Sequence, residues 1–493
     1  MTRTAGPRPS DDPAGTAGEP PGSALVRVEA TTATVELGGR SWQRISGTLH
    51  GVVGPGEAVA GLATDEHGRY AYSTEFEVLA PIGGAGDLVL VDVENRGRPA
   101  TLLAVEQFAL GSADVTPTGA VYPAGRGTGF LGELDLGYAR VQWEAGIAAG
   151  VPATAQGVGQ VVLREFGRLL TGTADAAGTP GADAVPRFGT ALLSGISQSA
   201  WFVTTFVAEG FNVDPASGGG VYAAALTVSG TGNWLAVNQL AGEEQQRPYL
   251  LPDGVPLPYE RILTRPDSDP LYVDVATYTD YYRLRASVTA HADRTPGALR
   301  YDWPAPHAGP AYPDALVFGA LGCNGGVEVP RNPIAYDAHL RTLVAGIADL
   351  VRLPASGGSA LPPDAVFDLV PPAPAADVND LPGEPLLVPA VDDDTAQPLG
   401  GVRFPEAVVP LGRPVPVALG PVGTASITDV CGNWGGWQPF TAGELGERYG
   451  DVEGYLARYA AALEEQIADG YLRSAERARL LDRARAAFLA AGA

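Results

Sequence analysis

The stretch Ala191-Leu192-Leu193-Ser194-Gly195-Ile196-Ser197-Gln198-Ser199-Ala200-Trp201-Phe202-Val203 decides how the chain is read. A run reading as a strand from Arg187 to Leu193 passes through Gly195-Ile196-Ser197-Gln198-Ser199 into an apolar helix from Ala200 to Val207. A serine on so sharp a strand-to-helix turn is forced into strained backbone angles, and the residues two before and two after it must be small. Gly195 and Ser199 meet that requirement. The turn lifts the Ser197 hydroxyl above the sheet, and the backbone N–H of Gln198, at the helix N-terminus, faces any negative charge that develops beside it.

Outward from this turn, the pattern predicts alternating strands and helices. Val26 to Leu37 alternates as a strand, and Leu88-Val89-Leu90-Val91-Asp92-Val93 is apolar enough to be buried on both faces, ending at Glu94-Asn95-Arg96-Gly97. Tyr138–Trp143 reads as a strand, Val161–Leu170 as a helix, and Leu271-Tyr272-Val273-Asp274-Val275 and Leu299-Arg300-Tyr301 as later strands. Such alternation predicts a parallel sheet with crossover helices. A helix with Asn332 as N-cap and Pro333 in its first turn runs to near Leu353. Two amphipathic helices, the second capped by Ser474, close the chain over 452–490. Residues 1–24 read as a disordered leader and 25–493 as one domain; 232–270 reads as a lid-like insertion, and 355–401, dense in Pro and Asp, as a wrapping loop.

Composition removes whole chemistries. The 493 residues include no lysine, so all 32 basic side chains are arginine, which excludes Schiff-base enzymes, the P-loop lysine and Ser-Lys dyads. A net charge of −24 without a basic patch argues against nucleic acid and anionic membrane as partners. The uncharged stretch 145–163 contains Pro152 and several Gly, which spoil it as a bilayer helix, and the N-terminus lacks a secretory h-region, so a cytoplasmic protein is expected. Cys323 and Cys431 either pair or sit as buried thiols. Gly127-Thr128-Gly129-Phe130-Leu131-Gly132 matches a dinucleotide-binding string, but a strand-like run follows it rather than a helix, and Asp392-Asp393-Asp394 lacks calcium-loop spacing. No cofactor or metal is called for.

A serine nucleophile needs a base, and there are five histidines: His50, His67, His291, His307 and His339. Where such an elbow tops a parallel sheet, the acid and then the histidine follow it in the chain, which removes His50 and His67. His339 falls within the helix after Asn332, leaving His291 and His307. His307, in the loop Trp303-Pro304-Ala305-Pro306-His307-Ala308-Gly309 beyond a strand, is preferred. The acid belongs on the loop after the preceding strand, where Asp280 sits; Asp274 and Asp302 are the alternatives.

These residues resemble a bacterial α/β-hydrolase-domain family whose elbow reads G-x-S-Q-S. The likeness runs through Asn95-Arg96-Gly97, Gly195-Ile196-Ser197-Gln198-Ser199, Glu209-Gly210-Phe211-Asn212, Cys323 and Asn332-Pro333. It resumes at Val388-Pro389-Ala390-Val391-Asp392, Phe404-Pro405-Glu406-Ala407-Val408-Val409-Pro410-Leu411-Gly412, Pro439-Phe440-Thr441 and Glu447-Arg448-Tyr449. It implies an α/β-hydrolase fold: a mostly parallel twisted sheet with helices on both faces, extra N-terminal strands, a lid insertion and C-terminal helices. It also implies a serine esterase with Ser197 as nucleophile and His307 as base, and a second oxyanion donor at Asn95 or Arg96 beside Gln198. The family's acid position resembles Glu-Tyr-Trp, whereas this chain has Asp280-Tyr281-Tyr282, and Ala200-Trp201-Phe202 stands where relatives carry a basic residue. Trp201, Trp234 and Tyr281 are the side chains assigned to substrate.

The chemistry expected is attack of Ser197 on the acyl carbonyl of a small-molecule ester or lactone, with His307 taking the proton and Asp280 orienting the imidazole. Water as acceptor makes the protein an ester hydrolase, and a hydroxyl or amine as acceptor makes it an acyltransferase or cyclising thioesterase. A non-catalytic binding protein on the same scaffold is the third reading.

Overall fold

A computed structural model describes residues 22–492 except 58, 60, 85, 108–114, 117, 118, 121–126, 145, 147–150, 153–156, 174–177, 234, 236–255, 292–294, 308–330, 353–360, 372–386 and 416–434. Trp234, Cys323, Cys431, residues 1–21 and much of 232–270 and 355–401 therefore lie outside the described residues.

Nine strands form one sheet: β1 (Ala24–Leu37), β2 (Arg40–Val53), β3 (Tyr70–Pro81), β4 (Leu88–Asp92), β5 (Gly137–Val141), β6 (Thr190–Ile196), β7 (Ala224–Val228), β8 (Leu271–Thr277) and β9 (Ala298–Trp303). Their spatial order is β1-β2-β3-β5-β4-β6-β7-β8-β9. The three N-terminal strands are antiparallel and join β5 in antiparallel register, while β5 to β9 are parallel throughout. β4, β5 and β7 are buried at every residue, as a parallel sheet covered on both faces requires.

Helices α1 (Ala100–Glu106), α2 (Val158–Thr171), α3 (Gln198–Ala208), α4 (Asp337–Arg352), α5 (Ala442–Tyr449), α6 (Val452–Ala468) and α7 (Arg477–Ala491) complete the main framework. Two apolar clusters flank the sheet. One packs α2 and α3 residues such as Val162, Phe166, Phe202 and Phe206 against Val78, Val91 and Leu193. The other packs Leu102, Leu340 and Val344 of α1 and α4 against Leu90, Leu192 and Val273. Alternate residues of each strand face opposite clusters, so a one-residue register slip would turn both faces inside out. The C-terminal hairpin docks through Asp337, at the start of α4. Arg341, Arg479 and Arg483 pair with its carboxylate at 2.8, 2.7 and 2.9 Å. Among the described residues no helix is long and apolar enough to cross a membrane.

Three local expectations need correction. The helix placed after Asn332 begins at Asp337, because the Asn332 side chain accepts the Ile334 N–H at 3.0 Å and holds a turn there. Ser474 opens a short 3₁₀ turn, Ser474–Glu476, and α7 starts at Arg477 without a side-chain cap. The glycine string at 127–132 leads into a one-turn helix, Phe130–Glu133, before β5. Its Gly129 and Leu131 amides donate to the Glu106 carboxylate at 2.8 and 2.9 Å.

Beneath the loops after β8 and β9 lies a buried ionic cluster. Arg300 of β9, fully buried, reaches Asp274 of β8 at 2.5 Å and Asp302 at 2.7 Å. The spare carboxylate lone pairs are taken by the Thr227 and Tyr259 hydroxyls on Asp274, and by the Tyr281 hydroxyl and the Phe367 N–H on Asp302. Residues 365–367 also run along β9: Asp302 N–H donates to the Ala365 carbonyl at 2.8 Å and Ala365 N–H to the Arg300 carbonyl at 3.0 Å. Part of the wrapping loop thus covers a strand edge that would otherwise invite pairing with another chain. Removing the guanidinium leaves two carboxylates buried without a cation, so Arg300→Met should lose about 3–5 kcal/mol in a denaturant-unfolding measurement.

Candidate active site

Each candidate side chain stands just beyond the C-terminal end of a parallel strand. Ser197 follows β6, Asp280 lies three residues after β8, and His307 lies four residues after β9. Ser197 has φ +61° and ψ −124°, a conformation rare for any residue but glycine. It is over-determined by its neighbours. The Ser197 N–H donates to the Val228 carbonyl at 2.8 Å, its carbonyl accepts the Trp201 N–H at 3.1 Å, and the Ser199 hydroxyl bridges the Ile196 N–H and carbonyl at 2.9 and 3.0 Å. A Cβ on Gly195 would lie 2.6 Å from the Ser199 backbone, so no larger residue fits there. These contacts are the physical content of the small-residue rule read from the sequence.

The three side chains are joined. His307 Nε2 is 2.8 Å from Ser197 Oγ, and His307 Nδ1 is 2.7 Å from Asp280 Oδ1. The second Asp280 oxygen accepts the Thr277 N–H at 2.7 Å, and the His307 N–H donates to the Thr279 hydroxyl at 2.6 Å. Asp280 is fully buried, and burial pushes its pKa up. The facing imidazole and the Thr277 amide outweigh that push, so the carboxyl lies below its ordinary range and is ionised at neutral pH. An Nδ1–H facing the carboxylate leaves Nε2 to accept from the serine hydroxyl. The shorter aspartate side chain therefore spans the distance to the imidazole.

The competing residues are accounted for. Asp274 and Asp302 are consumed by Arg300. His339 stacks on Phe404 with centroids 3.3 Å apart, and burial pushes its pKa down to about 3, leaving a neutral ring inside the core. His291 ends a short helix, Ser287–His291. Among the described residues no group of His, Cys, Asp and Glu is arranged to hold a metal ion.

Two backbone N–H groups next to the elbow are without an acceptor among the described residues. The Gln198 N–H begins α3, where it has no carbonyl partner within the helix. On the loop after β4 the two named candidates separate. The Asn95 N–H is committed to the Arg98 carbonyl at 2.8 Å, so Asn95 is not a backbone donor to substrate, whereas the Arg96 N–H, at φ +50°, has no acceptor among the described residues. The Asn95 side chain instead donates to the Ile196 carbonyl at 2.9 Å, fastening this loop to the elbow, a role that nothing in the sequence signalled.

Of the side chains assigned to substrate, the two within the described residues, Trp201 and Tyr281, are both buried. Trp201 is 6% exposed on α3, its indole N–H donating to the Ser229 carbonyl at 3.0 Å. Tyr281 does not offer its ring to a substrate. It is fully buried with its hydroxyl on Asp302, because the one-turn helix Asp280–Arg283 turns it away from Asp280 into the ionic cluster.

The chain belongs to the alpha/beta hydrolase domain family, whose model matches residues 134–482. Among solved structures, it resembles a lipase/esterase from Lactobacillus plantarum at 10% identity, with 51% of this chain and 80% of that one covered and a TM-score of 0.23. A glucuronoyl esterase from Solibacter usitatus matches at 10% identity, with 53% and 70% covered and a TM-score of 0.26. A CocE/NonD family hydrolase from Staphylococcus aureus matches at 9%, with 57% and 49% covered and a TM-score of 0.32. No curated protein matches the sequence.

Asp92 ends β4 and holds the start of α1, accepting the Thr101 and Leu102 N–H groups at 3.2 and 2.9 Å. Burial pushes its pKa up to about 7, against the downward pull of those amides. A carboxyl raised from an ordinary value near 3.8 contributes stability in full below that value, and the contribution is lost as pH rises through 7. Asp92→Asn cannot ionise, so its stability relative to the native protein should rise from pH 5 to pH 8. Urea unfolding at several pH values measures the trend, and a constant difference would show that Asp92 is already charged at pH 5.

Proposed function

We propose that the protein is a serine hydrolase acting on carboxylic esters or lactones. The observation that carries this reading is the continuous hydrogen-bond path from Ser197 Oγ through His307 to Asp280, set beside the uncommitted N–H groups of Gln198 and Arg96. Membership of the alpha/beta hydrolase domain family supports the same class.

In this reading His307 Nε2 removes the Ser197 proton as Oγ attacks the acyl carbonyl, and Asp280 stabilises the imidazolium without taking its proton. The Gln198 and Arg96 N–H groups meet the oxyanion of the tetrahedral intermediate. The imidazolium then protonates the departing alkoxide, leaving an acyl-Ser197. A water molecule deprotonated by His307 releases the acid and restores the serine. Asp280 acts through orientation: with a carboxamide in its place the imidazole favours the wrong tautomer.

Intact-mass analysis after fluorophosphonate treatment should give one adduct, on Ser197, absent from Ser197→Ala. Turnover of p-nitrophenyl acetate and butyrate should vanish in Ser197→Ala and His307→Ala. No label on the native protein, with turnover indifferent to Ser197→Ala, would sink the reading. Asp280→Asn should remain folded and lose on the order of 10³- to 10⁴-fold in kcat; a loss below about tenfold would leave Asp280 without the orienting role.

A further inference from the structure

Beside the triad lies a pair of polar side chains that the mechanism does not use. Gln198, 9% exposed, points its amide at Glu144 in the turn after β5, donating from Nε2 to Glu144 Oε1 at 2.9 Å. The other two oxygens of the pair, Glu144 Oε2 and Gln198 Oε1, are shut off from solvent and have no hydrogen-bond partner among the described residues. A buried acceptor left unpaired costs about 1–3 kcal/mol, more if charged, so such an oxygen calls for a donor, which water or a ligand can supply.

Position ties the pair to the reaction. Gln198 is the residue after the serine. Trp143, next to Glu144, packs on Phe202 of α3 with ring centroids 3.8 Å apart, and its indole N–H donates to the Glu94 carbonyl at 2.8 Å, one residue before Asn95. Glu144 therefore lies where the elbow helix meets the oxyanion loop. The two unpaired oxygens select a donor-bearing ligand.

We propose that Glu144, held by Gln198, is a specificity residue that receives a hydroxyl group of the substrate, so that the preferred esters are hydroxylated close to the scissile bond. The inference rests on the serine-hydrolase reading of Ser197. A site built around a hydroxyl penalises the analogue lacking it, because the buried acceptors then stay unpaired.

The test compares kcat/KM for p-nitrophenyl 3-hydroxybutyrate against p-nitrophenyl butyrate, and for glyceryl butyrate against propyl butyrate, which places the hydroxyl on the acyl or the alcohol side. The native protein should favour the hydroxylated member of at least one pair by about 10- to 100-fold, and Glu144→Leu should bring that ratio close to unity. Glu144→Gln keeps the shape and a neutral acceptor. It should lower the ratio by about fivefold, which covers the case in which the leucine variant does not fold. Equal use of both members by the native protein overturns the proposal, as does a preference that survives both variants, or one shown only for p-nitrophenyl 4-aminobutyrate. If those results come with turnover and a fluorophosphonate label on Ser197, the specificity inference alone has failed; absence of both turnover and label removes the hydrolase reading and this inference with it.

Discussion

The hydrogen bond from the Ser197 N–H to the Val228 carbonyl is the contact on which the site's geometry depends. It takes the one donor that the chain would otherwise present in a sterically poor conformation and ties it to the end of the neighbouring parallel strand. The Ser199 hydroxyl supplies the second tie by closing on Ile196 from both sides. With φ at +61° the serine cannot relax without breaking these contacts, and α3 starts at the very next residue. Strain at one residue is thereby converted into a fixed direction for a hydroxyl, while the C-terminal ends of the parallel strands bring the loops after β8 and β9 to meet it.

Asp280 and His307 rest on a different support. Arg300, Asp274 and Asp302 fasten β8 to β9 directly below the loops carrying Asp280 and His307, and Tyr281 reaches down from beside Asp280 into the same cluster. Burying three charges is weak evidence of stability in itself. Its effect here is one of placement: the charges admit few arrangements, so the residues immediately above them are held to one.

Much of this was legible in the residues. The elbow announces itself through Gly195 and Ser199, because a steric rule acts within five residues. Asp280 and His307 follow from chain order and loop position, and the closing helices from apolar spacing that needs no tertiary information. The failures share a cause. Asn332 carries the side chain of a helix cap but spends it on a turn to Ile334, an identical local signal with a different outcome. Tyr281 looked available beside the acid, yet which way it faces is decided by a single helical turn and by Asp302, twenty-one positions away. Asn95 and Arg96 are neighbours in a turn, and only the partner of each amide separates them. Glu144 gave no signal at all, since its meeting with Gln198 exists only once β5 and β6 share a sheet.

The cluster around Arg300 also has a consequence in time. Backbone amides that fray do so where opening exposes little of consequence, and a loop whose root is a buried guanidinium between two carboxylates is not of that kind. The Thr277 amide, bound to Asp280, and the His307 amide, bound to Thr279, lie directly above that root. Exchange of their protons with solvent is thereby coupled to opening of the β8–β9 pair, so Asp280 and His307 keep their mutual orientation for as long as that part of the sheet stays closed.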